Sequence, residues 1–167
     1  MGKFHDLLER RDRYAADVHG FFLDIASWRR FSSAASLQWQ RIKFWPLDKD
    51  SVPEDRGIYV FSIEAEGLPL PRHGYILYVG ITGNTSAANL RKRYAQYVQN
   101  LLKEDGRPRV YLMLSKWRDD LMFNFVPLPD ASVDLAEIER LFINSVKPPV
   151  NIADFDAEIG DPIKADF

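Results

Sequence analysis

The pattern of apolar and polar residues divides the chain into a helical first part and a second part rich in strands. Over residues 1–45, apolar side chains recur at helical spacing with arginines between them. The recurring positions are Phe4, Leu7, Leu8, Val18, Phe21, Phe22, Ile25 and Trp28. The spacing predicts two or three helices, and Ser32-Ser33 would begin the third, which carries Leu37, Ile42 and Trp45.

A segment rich in proline and aspartate, residues 46–56, separates the two parts. Both residue types favour turns over regular structure. We therefore place a boundary near residue 50, with a helical N-terminal extension at residues 1–50 and a second domain at residues 51–155. The role of the extension stays open between a dimer surface, a binding site for a protein partner, and a lid.

The period of the pattern changes beyond this segment. Residues 57–61 and 75–81 are two runs of β-branched and aromatic residues bounded by glycine and proline, which is typical of strands. They predict an antiparallel hairpin with a long, irregular tip between Glu64 and Gly74. Leu121 to Leu128 alternates in polarity and predicts a third strand.

Three helices fit between and after these strands. Asn89 suits the N-cap of a helix from Leu90 to about Leu102, and Pro108 suits the start of a shorter one, although the following residues also suit a strand. Ser132 or Asp134 would cap a last helix over residues 135–146, before Pro148-Pro149. The order β-β-α-α-β-α predicts an α/β fold with a small three-stranded antiparallel sheet flanked by helices.

The amino-acid composition limits the kinds of metal site and of catalysis that the protein can contain. The chain of 167 residues has no cysteine, which excludes disulfides, thiolate metal clusters and a cysteine nucleophile, so that any metal would bind through oxygen or imidazole. Apolar stretches are short, and the N-terminus lacks the apolar core of a signal peptide. We therefore expect a cytoplasmic protein that does not enter a membrane.

Charge is unevenly distributed, although the net charge is only -2. Residues 89–118 contain eight basic and two acidic residues, whereas residues 152–167 contain five acidic and one basic residue. A positive central segment attracts phosphate groups, and an acidic C-terminal tail, predicted at residues 156–167, limits nonspecific binding. Arg91, Lys92 and Lys103 are the candidates for contacts with nucleic acid.

Several short motifs are spaced along the second domain. They are Gly57-Ile58-Tyr59, Tyr78-Val79-Gly80, Arg93, and Glu139 followed by Pro148 and Asn151. On the predicted elements these motifs place two phenols, a guanidinium and a carboxylate on a strand, strand, helix, helix series. Hydrolysis of a phosphodiester requires charge compensation on the phosphate, a positioned water and a stabilised leaving oxygen, and these groups can supply them.

Residues 57–151 resemble the GIY-YIG nuclease family, including the N-terminal nuclease domain of the bacterial excision-repair incision subunit. The resemblance implies an endonuclease that hydrolyses DNA with one metal ion, Mg²⁺ or Mn²⁺, held by Glu139. It also implies a catalytic set, which is Tyr59, Tyr78, Arg93, Tyr97, Glu139 and Asn151. A module that keeps the fold and binds DNA without cutting it is the alternative, and an RNA substrate is a third hypothesis.

The general base is not decided by the sequence. A free phenol has a pKa of about 10 and is roughly one part in a thousand ionised at pH 7, so that ionising it costs about 4 kcal/mol. A metal ion or Arg93 would offset part of this cost. Either Tyr59 or Tyr78 fits the role of base or proton relay. Tyr97 is the third candidate for this role, and it also fits the role of orienting the phosphate.

Overall fold

The computed structural model describes residues 20–64 and 73–154. The elements in chain order are α1 (Ile25–Arg30), β1 (Gln40–Lys43), β2 (Gly57–Glu64), β3 (Gly74–Thr82), α2 (Leu90–Lys103), α3 (Pro108–Lys116), β4 (Leu121–Pro127) and α4 (Leu135–Val146). Short 3₁₀ helices span Lys49–Ser51 and Pro149–Asp154. The predicted first helix, the hairpin tip and the acidic tail lie outside the described residues.

The four strands form one antiparallel sheet with the order β1-β4-β2-β3. The predicted β2–β3 hairpin is confirmed, and in it Tyr59 lies opposite Gly80. The pairing shifts register between Phe61 and Ser62. Because β3 is an edge strand, the backbone polar groups on its outer side need partners other than a strand.

The third helix predicted to begin at Ser32-Ser33 is wrong, because residues 31–39 are irregular and Gln40–Lys43 form strand β1 on the edge of β4. The N–H of Phe44 donates to the Leu121 carbonyl at 2.8 Å, and the Phe44 ring is fully buried. Tertiary pairing with β4 overrides a weak local preference for helix. The sheet therefore has four strands rather than three, and the predicted boundary near residue 50 lies between two strands of one sheet.

Helices cover both faces of the sheet. The cluster on one face includes Tyr59, Phe61, Phe123 and Phe125 from the strands and Leu90, Tyr94, Tyr97, Val110 and Leu114 from α2 and α3. The cluster on the other face includes Ile58, Val60, Val79 and Val126 from the strands and Leu135, Ile138, Phe142 and Ile143 from α4. The result is a three-layer α/β arrangement in which successive residues of β2 point to opposite layers.

Helix α1 packs beside α4. Asp24 caps α1 by accepting from the Ser27 N–H at 3.0 Å, and it accepts from the Lys147 ammonium at 2.7 Å. This confirms a helix in the N-terminal extension, although a short one. Within the described residues, no helix is long and apolar enough to cross a membrane.

The predicted helix boundaries in the second domain are confirmed. Asn89 accepts from the Lys92 N–H at 2.8 Å and caps α2. Asp134 accepts from the Glu137 N–H at 3.1 Å and caps α4. Pro108 is the first residue of α3, which is a helix rather than a strand.

Two motif glycines are required by close packing. A Cβ at Gly57 would collide with the Val126 carbonyl on β4, and a Cβ at Gly80 would lie 2.6 Å from Cζ of Tyr59. Real Cβ atoms do not approach other heavy atoms this closely, so each glycine allows a contact that any other residue would block. Gly80 thus leaves room for the Tyr59 ring to cross β3.

The burial of Phe44 predicts that β1 belongs to the same cooperative unit as the rest of the sheet. Phe44→Ala should lower the free energy of unfolding by about 3–5 kcal/mol in a single transition, because it opens a cavity against Phe61 and Tyr94. Urea unfolding measures this loss. The control Leu112→Ala, at a residue 63% exposed, should change stability by less than about 0.5 kcal/mol; an equally small change for Phe44→Ala would separate β1 from the domain.

Candidate active site

A cavity of about 330 Å³ lies beside the edge strand β3. It is lined by Tyr59, Tyr78, Ile81, Arg93, Tyr97, Arg107, Ala136, Glu139, Arg140, Ile143 and Asp154. The residues come from β2, β3, α2, the turn before α3, α4 and the last 3₁₀ helix. Five of the six predicted catalytic residues therefore share one cavity, although they are separated by up to 80 positions in the chain.

Three phenols form the inner wall of the cavity. The hydroxyls of Tyr59 and Tyr97 are 2.8 Å apart and share a hydrogen bond. The Tyr78 ring lies 6.3 Å from each of the other two ring centroids, and all three side chains are buried. Strands β2 and β3 supply two of the rings, and the second turn of α2 supplies the third.

Burial makes two of these phenols hard to ionise. It raises the pKa of Tyr59 well above its usual value, and the neighbouring Tyr97 and Tyr78 raise it further. Burial likewise raises the pKa of Tyr97 above the range of an exposed phenol. The charge of Arg93 opposes both shifts without cancelling them. Tyr59 and Tyr97 are therefore neutral hydrogen-bonding groups near pH 7.

Arg93 lies in the first turn of α2 and points toward the phenols. Its Nη1 donates to Oε1 of Gln96 at 2.9 Å. Its Nε is buried and has no hydrogen-bond partner within the described part of the chain. A buried donor without a partner is costly. The Arg93 side chain lines the cavity, and the planar set of donors of a guanidinium is suited to bind an oxyanion that enters it.

Glu139 lies on α4, on the opposite wall from the phenols. Burial raises the pKa of its carboxyl to about 7, and the nearby Asp154 adds to the rise. A backbone hydrogen bond from Ile81 and the charge of Arg107 act in the opposite direction. The ionised form of Glu139 is therefore poorly compensated by the protein alone, and a bound cation would stabilise it.

The chemistry of this carboxylate fits a hard divalent cation. In the described residues there is no group of three or more His, Cys, Asp or Glu side chains that could enclose a metal ion. Mg²⁺ commonly binds through one or two carboxylates and fills its other positions with water and phosphate oxygens. Glu139, with Asp154 in the same cavity, offers such an open site.

Asn151 does not line the cavity but holds its edge. Its Oδ1 accepts from the Val79 N–H at 2.8 Å, and its Nδ2 donates to the Val79 carbonyl at 3.0 Å. The same Nδ2 lies 2.9 Å from Oδ2 of Asp154. Asn151 thus supplies the partners that the outer backbone of β3 lacks, and it ties the segment after α4 to the sheet.

The three residues predicted to contact nucleic acid differ in their surroundings. Arg91 is engaged with the protein itself, since its Nε donates to the Val52 carbonyl at 2.8 Å and its Nη1 pairs with Glu54 at 2.6 Å. Lys92 and Lys103 are exposed. They are eleven positions apart on α2, about three turns, and therefore lie on the same face of the helix.

Sequence reasoning missed three charged residues of the cavity, which are Arg107, Arg140 and Asp154. Arg107 and Asp154 lie in irregular segments, where no periodic pattern indicates the direction of a side chain. Arg140 directly follows Glu139, and it pairs with Glu137 on the same helix. The only sequence signal for Arg107 and Asp154 was their position beside recognised residues. Arg107 directly precedes the proline that begins α3, and Asp154 follows Asn151 by three residues.

Known proteins provide no relative to compare with this site. No family model, no curated protein and no solved structure matches the chain.

The raised pKa of Glu139 predicts a specific dependence of stability on pH. Because the folded pKa of about 7 exceeds the ordinary value of 4.5, the native state binds the proton more tightly than the unfolded state, and this group's contribution to stability is lost as pH rises through that window. Glu139→Gln should therefore flatten the pH dependence of the free energy of unfolding.

Urea unfolding from about pH 4.5 to about pH 8 measures this effect. The expected result is that Glu139→Gln becomes more stable relative to the parent protein as pH rises. Glu104→Gln, an exposed glutamate at the end of α2, serves as the control and should leave the slope unchanged. A parent and Glu139→Gln protein with the same slope would contradict the assigned environment of Glu139.

The contacts of Asn151 predict a structural role. Asn151→Ala removes both partners of the Val79 backbone, and it should lower the free energy of unfolding by about 2–4 kcal/mol. Thermal and urea unfolding measure the loss. Asn84→Ala, in an exposed loop, is the control and should change stability by less than about 0.5 kcal/mol. A similarly small effect of Asn151→Ala would disprove the edge contact.

Proposed function

We propose that this protein is a nuclease of the GIY-YIG type that hydrolyses DNA phosphodiester bonds with the help of one divalent cation, Mg²⁺ or Mn²⁺. The observation that carries the proposal is the meeting of Tyr59, Tyr78, Arg93, Tyr97 and Glu139 around one cavity. These are five of the six positions that the resemblance to that family implies as catalytic. A purely structural role in the hydrophobic core would not explain why phenols, a guanidinium and a carboxylate lie around the same cavity.

In this proposal, Arg93 binds the scissile phosphate. A guanidinium keeps its charge near neutral pH and offers a planar set of donors that matches phosphate oxygens. Its buried Nε has no partner among the described residues, so a phosphate oxygen would satisfy a donor that is costly to leave alone. The surrounding low-dielectric cavity strengthens such an interaction relative to water.

Glu139 would hold the cation, with water and phosphate oxygens completing its coordination. When bound, the cation supplies charge compensation for the phosphate and for the leaving oxygen. The residues of the protein orient the reactants: Arg93 fixes the phosphate, and the phenols position the attacking water. In the reaction, the water oxygen bonds to phosphorus and one P–O ester bond breaks, which gives a phosphomonoester and a hydroxyl.

The proton of the attacking water passes to a base in the cavity, and the leaving oxygen gains a proton. Tyr59 and Tyr97 are poor candidates, because burial disfavours their ionised forms. Tyr78 is the remaining phenol, and its hydroxyl is bonded to the Arg107 guanidinium. We therefore assign the base or proton relay to Tyr78, whereas Tyr59 and Tyr97 hold the water and the phosphate in place.

The exposed face of α2 would contact the DNA backbone beside the cavity. Lys92, Gln96, Gln99 and Lys103 form an exposed polar stripe along the helix. The two lysines are about 16 Å apart along the axis, a distance that spans roughly five base-pair steps of one DNA strand. The hydrogen bond between Arg93 and Gln96 connects this stripe to the guanidinium in the cavity.

Cleavage of plasmid DNA with Mg²⁺, compared with the same reaction in chelator, tests the proposal. Glu139→Gln and Arg93→Ala should each lower the cleavage rate by about 100-fold or more, because each removes a charge that the transition state requires. Glu104→Gln and Arg118→Ala are matched controls at exposed positions outside the cavity. They should keep the parent rate.

The alternatives give different outcomes in the same experiment. Binding of DNA without cleavage in any divalent cation would support a DNA-binding module and contradict the nuclease. Cleavage of RNA but not of DNA would support the proposed hydrolysis of phosphodiesters and would show that the substrate is RNA. Full activity of purified, folded Glu139→Gln would overturn the mechanism.

A further inference from the structure

Arg107 contacts one of the three phenols of the cavity. Its Nη2 donates to the Tyr78 hydroxyl in a short hydrogen bond, and its Cζ lies 5.5 Å from the centre of the same ring. The guanidinium thus meets Tyr78 both at the oxygen and over the ring face. Tyr59 and Tyr97, by comparison, are hydrogen-bonded to each other.

We infer that Arg107 is a positioning residue of the active site: it fixes the Tyr78 hydroxyl so that this phenol accepts the proton of the attacking water while its own proton passes to an oxygen of the phosphate. The inference rests on the proposed function. It adds a residue outside the set that the sequence motifs select.

The directionality of hydrogen bonds is the first argument. A phenol hydroxyl has one proton to donate and lone pairs to accept. Since the guanidinium only donates, Tyr78 accepts from Arg107 and keeps its own proton for another partner. Tyr78 also interacts with the Tyr97 hydroxyl and lines the cavity, so its proton can pass to Tyr97 or to a water or phosphate oxygen that enters the cavity.

Charge is the second argument. Arg107 places a permanent positive charge beside the Tyr78 oxygen, where it faces the reacting groups of the cavity. The charge of Arg107 is also felt by Glu139 on the opposite wall. A single guanidinium therefore links the phenol side of the cavity to its carboxylate side.

The turn between α2 and α3 directs Arg107 into this position. Gly106 has φ of 100°, a conformation that other residues rarely adopt, and Pro108 begins α3 with its fixed φ. Arg107 stands between them in an extended conformation, with φ of -69° and ψ of 127°. Because a residue before proline is restricted to extended backbone conformations, Pro108 fixes the direction in which the Arg107 side chain leaves the backbone at the rim of the cavity.

A double-mutant cycle on cleavage tests whether Arg107 acts through Tyr78. Arg107→Gln should lower kcat about tenfold or more and change KM less than about twofold, and Arg107→Lys, which keeps the charge without the planar fork, should fall between. The Arg107→Gln/Tyr78→Phe double variant should match Tyr78→Phe within about twofold. A double variant slowed by the product of the two single effects would overturn the inference.

Arg109→Gln is the matched control for the cycle. Arg109 is two positions along the chain, exposed and absent from the lining of the cavity. Its substitution changes the net charge by the same amount, and it should leave kcat at the parent value. A loss equal to that of Arg107→Gln would indicate a general charge effect and contradict a specific contact.

Nuclear magnetic resonance of isotope-labelled tyrosine gives a readout without substrate or cleavage. The Cζ signal of Tyr78, assigned through Tyr78→Phe, should shift in Arg107→Gln and stay in place in Arg109→Gln. An unmoved signal in Arg107→Gln would overturn the inference even in an active enzyme. A shifted signal in a protein that cleaves no nucleic acid would keep the Arg107–Tyr78 contact and reject the proposed function, so the two failures are distinguishable.

Discussion

The pair of hydrogen bonds between Asn151 and the Val79 backbone joins the two halves of the candidate site. The phenols belong to the face of the sheet that α2 and α3 cover, whereas Glu139 belongs to α4 on the other face. Both groups reach one cavity because β3 is an edge strand. An unpaired edge exposes backbone groups to other chains, and Asn151 satisfies those of Val79 while it holds the segment after α4 against the strand.

Close packing sets the positions of the phenols on this edge. The Tyr59 ring crosses β3 where Gly80 leaves space for it, and its hydroxyl meets that of Tyr97 from α2. The two glycines of the motifs therefore have steric reasons to be glycine, independent of any catalytic role. Gly80 accommodates the Tyr59 ring, whereas Gly57 accommodates the Val126 carbonyl on β4.

The charges of the cavity are incompletely balanced within the protein. Glu139 is half-buried with its ionised form disfavoured, and Arg93 has a buried donor without a partner in the described part of the structure. Each of these features is costly in a folded protein. A cation beside the carboxylate and a phosphate beside the guanidinium would offset both costs, and this is the physical basis of the proposed phosphodiester chemistry.

Much of the second domain is predictable from the sequence because its signals are local. Asn89, Pro108 and Asp134 mark helix starts by their own hydrogen-bonding properties, and the two aromatic runs form a hairpin as predicted. Strand β1 was missed because its partner β4 lies about 80 residues away, a tertiary effect. Its only local signal is the alternation of Arg41 and Lys43 with Ile42 and Phe44.

The candidate site was predictable only in part, for the same reason. Residues on regular elements, such as Tyr59, Tyr78 and Glu139, could be selected from motifs and placed by the period of their element. Arg107 and Asp154 lie in a turn and a short 3₁₀ helix, where the sequence does not define direction. For Asn151 the sequence left two roles open, which were to fix the loop after the last helix or to form hydrogen bonds near the site, and its contacts with Val79 and Asp154 fit the first.

A crystal structure of the protein with a short DNA duplex and Ca²⁺, which binds oxygen ligands with flexible geometry, tests the central claim most directly. The proposed mechanism predicts a backbone phosphate within hydrogen-bonding distance of Arg93 and a cation between that phosphate and Glu139. DNA bound on another face of the protein, with the cavity beside β3 free of phosphate and cation, would contradict it.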